Sequence, residues 1–260
     1  MLKHSMDKEG VYNSPLAQGR IDKGYENLEV RLLHYPQHED FVKTALFGEY
    51  AHAGGSINPI KALDDLTTDE LMSKAGDYLS GGLEQYLESD TVTFLIYGCT
   101  RGFTHEFVRT RKGAWFLQQT MRHSNMGYAN VRMPEYIASA PLGVPETWLY
   151  AVRRVLNAYV SLVELDIPYQ DARTVLPIAT ETWIIGGMPL RTFLEAYNYR
   201  ACFGFYPEMV WIFHEMGRLL GEACPWLKDK IYISCQKDHR CYYRGVENVE
   251  QFCTLPWAKE

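Results

Sequence analysis

Residues 91–123 read TVTFLIYGCTRGFTHEFVRTRKGAWFLQQTMRH, and the side-chain pattern changes three times along them. The opening TVTFLIYG (91–98) is β-branched and aromatic, a strand. Thr100 can cap a helix through RGFTHEFVRT, where Phe103 and Phe107 share one face at i, i+4. Gly113 breaks that helix. WFLQQTMRH (115–123) suits a second strand, and a period of two puts Gln118, Thr120 and Arg122 on one face. Strand, helix and strand in one short stretch predict an α+β fold.

Working outward, LEVRLLHYP (28–36) reads as a strand and HEDFVKTALFGEYAHAG (38–54) as a helix ending near Gly54. TTDELMSKAGDYLSGGLEQYL (67–87) looks helical in two pieces. The second half is mostly helical. PETWLYAVRRVLNAYVSLVELDI (145–167) starts on a first-turn proline, with Trp148, Val152, Val155, Tyr159 and Leu162 at helical spacing. PYQDARTVLP (168–177) is a short helix between prolines. MPLRTFLEAYNYR (188–200) follows Gly186-Gly187 and turns Leu190, Phe193, Leu194 and Tyr197 inward. PEMVWIFHEMGRLLGEACPW (207–226) is amphipathic and stops at Pro225. The expected architecture is one α+β domain with a central antiparallel or mixed sheet packed by helices. Residues 1–27 read as an arm, 28–227 as the catalytic domain and 228–260 as a C-terminal tail.

The chain is 47% hydrophobic and 22% charged, with formal net charge −6. That balance argues against a nucleic-acid polymer as partner, because counterion release needs a broad basic surface. No apolar run approaches a membrane span, and the start lacks a signal-peptide apolar core, so a cytoplasmic protein without membrane association is expected. Six cysteines form no dense framework, and free thiols are expected. Cys235, His239, Cys241 and Cys253 are zinc-type ligands, but their spacing matches no common finger or ribbon; no metal is expected.

Against the acidic background, Arg109, Arg111, Lys112 and Arg122 crowd into fourteen residues. Arg173 and Arg200 lie on helices with an apolar opposite face. Arginine is rarely buried without an anion or carbonyl, and its planar fork matches phosphate oxygens. A small phosphorylated ligand fits these arginines better than a polymer does.

Several ordered blocks resemble the flavin-dependent thymidylate synthases. They are RTR (109–111), TMRH (120–123), DARTVLP (171–177), LRTFLEAYNYRA (190–201) and GEACPW (221–226). The resemblance implies a homotetrameric fold and FAD-dependent C5-methylation of dUMP to dTMP, with methylene-tetrahydrofolate as carbon donor and NADPH as reductant. It implies that Arg109 and Arg111, flanking Thr110, meet FAD at a subunit junction. Thr120 and Arg122 would hold the nucleotide phosphate, with Arg173 from another subunit and Gln118 nearby. Glu106 stands where the family has a nucleotide-contacting Gln. Asn198 would lie near the flavin, and Arg200 against the pyrimidine as the catalytic group. Ser89 and Gly204 occupy cofactor-side positions where the family carries His.

The departures define a divergent member. Thr110 replaces the middle His of the family's R-H-R, Ala114 its Ser and Gln118 its Glu. Losing imidazoles changes proton handling near the cofactors. The resemblance therefore leaves open UMP in place of dUMP, a hydroxymethyl product, or a non-catalytic nucleotide- or flavin-binding homologue.

Overall fold

The computed structural model describes residues 21–52, 58–65, 67, 69–70, 84–202, 204–238, 240–241 and 246–247. The described elements run β1 (Ile21–Lys23), β2 (Glu29–His34), α1 (His38–His52), α2 (Pro59–Asp65), β3 (Thr91–Thr100), α3 (Arg101–Phe107), β4 (Trp115–Gln118), β5 (Val131–Met133), α4 (Glu135–Ala138), α5 (Val144–Glu164), α6 (Tyr169–Ala172), β6 (Glu181–Pro189), α7 (Leu190–Arg200), α8 (Pro207–Ala223), α9 (Ser234–Asp238), β7 (Arg240–Cys241) and β8 (Val246–Glu247). A four-stranded sheet has the order β2-β3-β6-β4. The fold is thus α+β. Contacts divide the chain into two compact units: residues 1–29, 96–109 and 117–184, and residues 30–95, 110–116 and 185–260.

In the first unit, Thr100 caps α3 as its sequence predicts, accepting from the Phe103 N–H at 3.1 Å. The helix ends at Phe107, well before Gly113. Pro145 sits in the first turn of α5, and Glu146 reaches back to the Gly143 N–H at 2.7 Å. The inward face of α5 is Val152, Leu156, Tyr159 and Val160. Tyr159 is fully buried, and its hydroxyl accepts from the Met126 N–H at 2.8 Å. This fixes the loop after β4 to the helix. β1 pairs in parallel with β5, Asp22 opposite Arg132. The expected arm therefore contributes a strand at its end.

A buried polar cluster joins these strands. Arg132 Nη2 lies 2.7 Å from Glu181 Oε1 and donates to the Gly98 carbonyl at 2.9 Å. Asp22 accepts from Asn27 and Asn130 at 2.8 and 3.4 Å. Burial pushes the Glu181 carboxyl up to about 7; Arg132 opposes this, while Asp22 adds to it. One arginine thus faces a buried Glu181 carboxyl whose hold on its proton is strengthened by burial and by the neighbouring Asp22. Because the folded carboxyl holds a proton that the unfolded one has released, this group's contribution to stability is full below about pH 4.5. It is lost as pH rises toward 7. Glu181→Gln is expected to flatten the stability–pH curve in that window, read by chemical denaturation from pH 4.5 to 7.5. An unchanged slope would refute the protonated carboxyl.

In the second unit, α7 buries Leu190, Phe193, Leu194 and Tyr197, the four residues its sequence turned inward. Phe193 stacks on Phe213 of α8, with ring centroids 6.4 Å apart. Tyr197 lies where a Cβ on Gly217 would intrude, 2.4 Å from its ring. Gly113 adopts φ +65° against the Pro189 ring, turning the chain into β4. Trp115 packs on Gly187, where an added Cβ would stand 2.4 Å from the indole.

Two sequence expectations change. β4 ends at Gln118, so Thr120 and Arg122 lie in the following bends and not on a strand face. β6 was unanticipated, because Gly186, Gly187 and Pro189 interrupt its run of Thr182, Trp183, Ile184 and Ile185. The helical reading of 67–87 lies mostly outside the described residues, though Glu84–Glu88 forms a 3₁₀ turn. Among the described residues, no helix is long and apolar enough to cross a membrane.

Candidate active site

Arg122 and Arg173 meet through Gln170 in the first unit. Arg122 Nε donates to Gln170 Oε1 at 3.2 Å, and Arg173 Nε donates to the Gln170 carbonyl at 3.1 Å. Each guanidinium is held by its inner nitrogen, which leaves the terminal Nη groups as the available donors. Thr120 Oγ1 accepts from the Arg122 N–H at 3.1 Å and fixes the bend that carries the arginine. Arg173 sits where α6 passes into a 3₁₀ turn. All three side chains are exposed. Among the described residues, neither arginine has an acidic partner. Within one chain the structure thus brings together Thr120, Arg122 and Arg173, whereas the resemblance drew Arg173 from another subunit than Thr120 and Arg122.

The remaining first-unit candidates make other contacts. The amide of Gln118 donates to Thr104 Oγ1 at 2.8 Å and ties β4 to α3. Glu106 is half-buried on α3, and its carbonyl accepts from the Arg109 N–H at 3.1 Å. Arg109 is exposed beyond the end of that helix.

One further arginine, absent from the sequence expectations, lies within electrostatic reach of Arg173. Arg101 opens α3 and is half-buried. Its N–H donates to the Thr180 carbonyl at 3.0 Å, and the next N–H, of Gly102, donates to the Ile178 carbonyl at 2.9 Å. Those bonds dock α3 on the segment that follows Arg173. Burial first, then the charge of Arg173, presses the Arg101 guanidinium below its ordinary range.

The second unit holds Ser89, Thr110, Arg111, Asn198, Arg200 and Gly204. Ser89 Oγ donates to the Tyr86 carbonyl at 2.7 Å and closes the 3₁₀ turn. Arg111 is exposed, while its neighbour Lys112 pairs with Glu195 at 2.6 Å. Part of the local positive charge seen in sequence is therefore neutralised within the fold. Arg200 ends α7 with its guanidinium 5.7 Å from the centroid of the Phe205 ring. Gly204 is exposed. Asn198, Cys202, Phe205, Cys235 and Cys241 line a cavity of about 300 Å³. Asn198 Oδ1 is buried and has no hydrogen-bond partner among the described residues. An orphaned acceptor at a mostly apolar cavity matches a planar ring that carries an N–H donor. The donor chemistry fits a flavin ring, and a cavity of this size takes a fused ring system, not a whole dinucleotide.

Cys99, Cys202, Cys224, Cys235 and Cys241 are thiols outside any disulfide. Among the described residues, no group of three His, Cys, Asp or Glu side chains is placed to hold a metal. His239 and Cys253 lie outside the described residues.

A flavin-dependent thymidylate synthase from Thermococcus onnurineus (strain NA1) is 32% identical over 128 residues, covering 48% of this chain and 51% of its own. The chain thus spans about half the length of that relative. One from Geobacter sulfurreducens is 29% identical over 195 residues, covering 75% of this chain and 82% of its own. The solved structure of a UMP/dUMP methylase, PolB from Streptomyces cacaoi bound with 5-Br dUMP, matches the fold. Its TM-score is 0.63 at 15% identity, over 81% of this chain and 96% of that one. The family model described as thymidylate synthase complementing protein matches residues 31–226, and the chain belongs to that family.

Proposed function

We propose that the protein is a flavin-dependent enzyme that methylates C5 of a uridine monophosphate nucleotide, with dUMP as leading substrate. The observation that carries this reading is the convergence of Arg122 and Arg173 on Gln170 without an acid between them. Two uncompensated guanidiniums are an electrostatic cost in the empty protein and a cradle for a phosphate. Thr120 adds a hydroxyl. Family membership supplies the pyrimidine and the methyl transfer.

Asn198 would accept from the flavin ring, with Arg109, Thr110, Arg111, Ser89 and Gly204 as the other cofactor-side residues implied by resemblance. Flavin, when bound, supplies hydride chemistry that side chains lack. Methylene-tetrahydrofolate as carbon donor, NADPH as reductant and a homotetrameric assembly complete the reading. The deciding experiment gives purified protein FAD, NADPH, methylene-tetrahydrofolate and either dUMP or UMP, and reads the nucleotide product by mass. No mass gain on either nucleotide would overturn it.

UMP is the second reading, favoured by Glu106. A carboxylate in place of the family's Gln removes N–H donors and can accept from a ribose hydroxyl. A site that bonds a hydroxyl rejects the deoxy analogue strongly. The protein of matching fold is itself described as a UMP/dUMP methylase. The same mass measurement separates methyl from hydroxymethyl product.

Arg122→Ala and Arg173→Ala are each expected to weaken nucleotide binding by about ten- to a hundredfold, as one charge-assisted bond to phosphate is worth about 1.5–3 kcal/mol. Calorimetric titration with dUMP checks this. Affinities within twofold of the parent would remove both residues from the cradle.

A further inference from the structure

We infer that Arg101 is a third arginine of the phosphate cradle, acting with Arg122 and Arg173 to select a terminal phosphate monoester. This rests on the nucleotide reading above.

Among the described residues, the Arg101 side chain has no ion pair and no hydrogen bond. Yet it is half-buried, at a position where a neutral side chain would need no partner. The strongest charge acting on it is that of another arginine, Arg173, and no Asp or Glu contributes. Structural arginines on this chain look different. Arg132 meets Glu181 at 2.7 Å, Arg191 meets Glu88 at 2.8 Å, and Arg218 meets Glu215 and Glu222 at 2.6 and 2.7 Å. Arg101, Arg122 and Arg173 share the absence of any such acid among the described residues.

Geometry makes the three a group. Gln170 holds Arg122 and Arg173. The Leu176 N–H bonds the Arg173 carbonyl at 3.0 Å, and the chain then runs to Ile178 and Thr180, whose carbonyls receive Gly102 and Arg101. The start of α3 is therefore docked on the segment that follows Arg173. Its first N–H groups are already used: Arg101 on Thr180, Gly102 on Ile178 and Phe103 on Thr100. An anion arriving here meets side chains, not a free helix end.

Three forks have a chemical consequence. A phosphate monoester presents three non-bridging oxygens and carries nearly two negative charges at neutral pH. A diester presents two such oxygens and one charge. The terminal Nη groups of Arg122 and Arg173 together with the whole Arg101 fork match the monoester. The site therefore discriminates a free nucleotide from the same nucleotide within a nucleic-acid strand.

The test uses the full chain with flavin, as parent, Arg101→Gln and Arg101→Lys. Each is titrated with dUMP, deoxyuridine and inorganic phosphate. Arg101→Gln is expected to weaken dUMP by about ten- to a hundredfold and to weaken inorganic phosphate in parallel, leaving deoxyuridine within twofold. Arg101→Lys should recover part of the loss. Without phosphate, Arg101→Gln should melt no lower than the parent, since it relieves like-charge crowding. Equal weakening of dUMP and deoxyuridine, or unchanged phosphate binding, would overturn the inference. If the parent forms no methylated product, the function above fails, while the inorganic-phosphate titration still decides Arg101.

Discussion

Arg132→Met is expected to destabilise the protein by about 3–5 kcal/mol, because it leaves buried acids without their cation. Arg132 is 3% exposed and Glu181 7%. The arginine also donates to the Gly98 carbonyl, which belongs to a residue at φ +76° whose conformation excludes most side chains. At roughly 2–4 °C per kcal/mol, the melting temperature should drop by about 6–20 °C. Adding Glu181→Leu to Arg132→Met should recover part of the loss, since removing both members of a buried pair is milder than removing one. A single variant that melts within about a degree of the parent would show that the cluster contributes little.

The second large effect concerns chemistry. On the proposed function, Arg200→Ala lowers turnover by about 10²–10³-fold, the range for removing one donor aimed at developing charge. Electron density must build on the pyrimidine before C5 can attack carbon, and a fixed guanidinium stabilises it. Phe205 packs under that guanidinium and limits its motion. Flavin absorbance should persist, because Asn198 and the cavity beside it remain. Arg200→Lys should recover little, having charge without the planar fork. Near-normal product formation by Arg200→Ala would remove the residue from the chemistry.

Legibility in the sequence followed from whether a local pattern carried the information. Thr100, the inward face of α7 and the amphipathic α8 were readable because capping and helical spacing are properties of neighbours along the chain. The register of α5 was readable in part: Val152 and Tyr159 are buried, but Trp148, Val155 and Leu162 are half-buried while Leu156 and Val160 lie deeper. β6 was hidden because Gly187 answers to the Trp115 ring, a contact between distant segments, and glycine in isolation reads as a break. Thr120 and Arg122 left the strand pattern because their bend is set by Met126 bonding Tyr159 and by Arg122 reaching Gln170. Arg101 was invisible for a related reason. An arginine at a helix start looks like surface until its lack of an acid is seen in three dimensions.

The β1–β5 pairing also has a consequence in time. Ile21 is matched with Val131, and Lys23 with Met133. A ribosome adding about 5–20 residues per second exposes β1 roughly 5–20 s before β5 is made. Throughout that interval the strand has no partner of its own, and Asp22 stands in water with an ordinary carboxylate's freedom. Docking β1 then withdraws Asp22 from water beside Arg132. Entry of the first-made described strand is thus a late step of maturation, in which the charge cluster around Glu181 is completed.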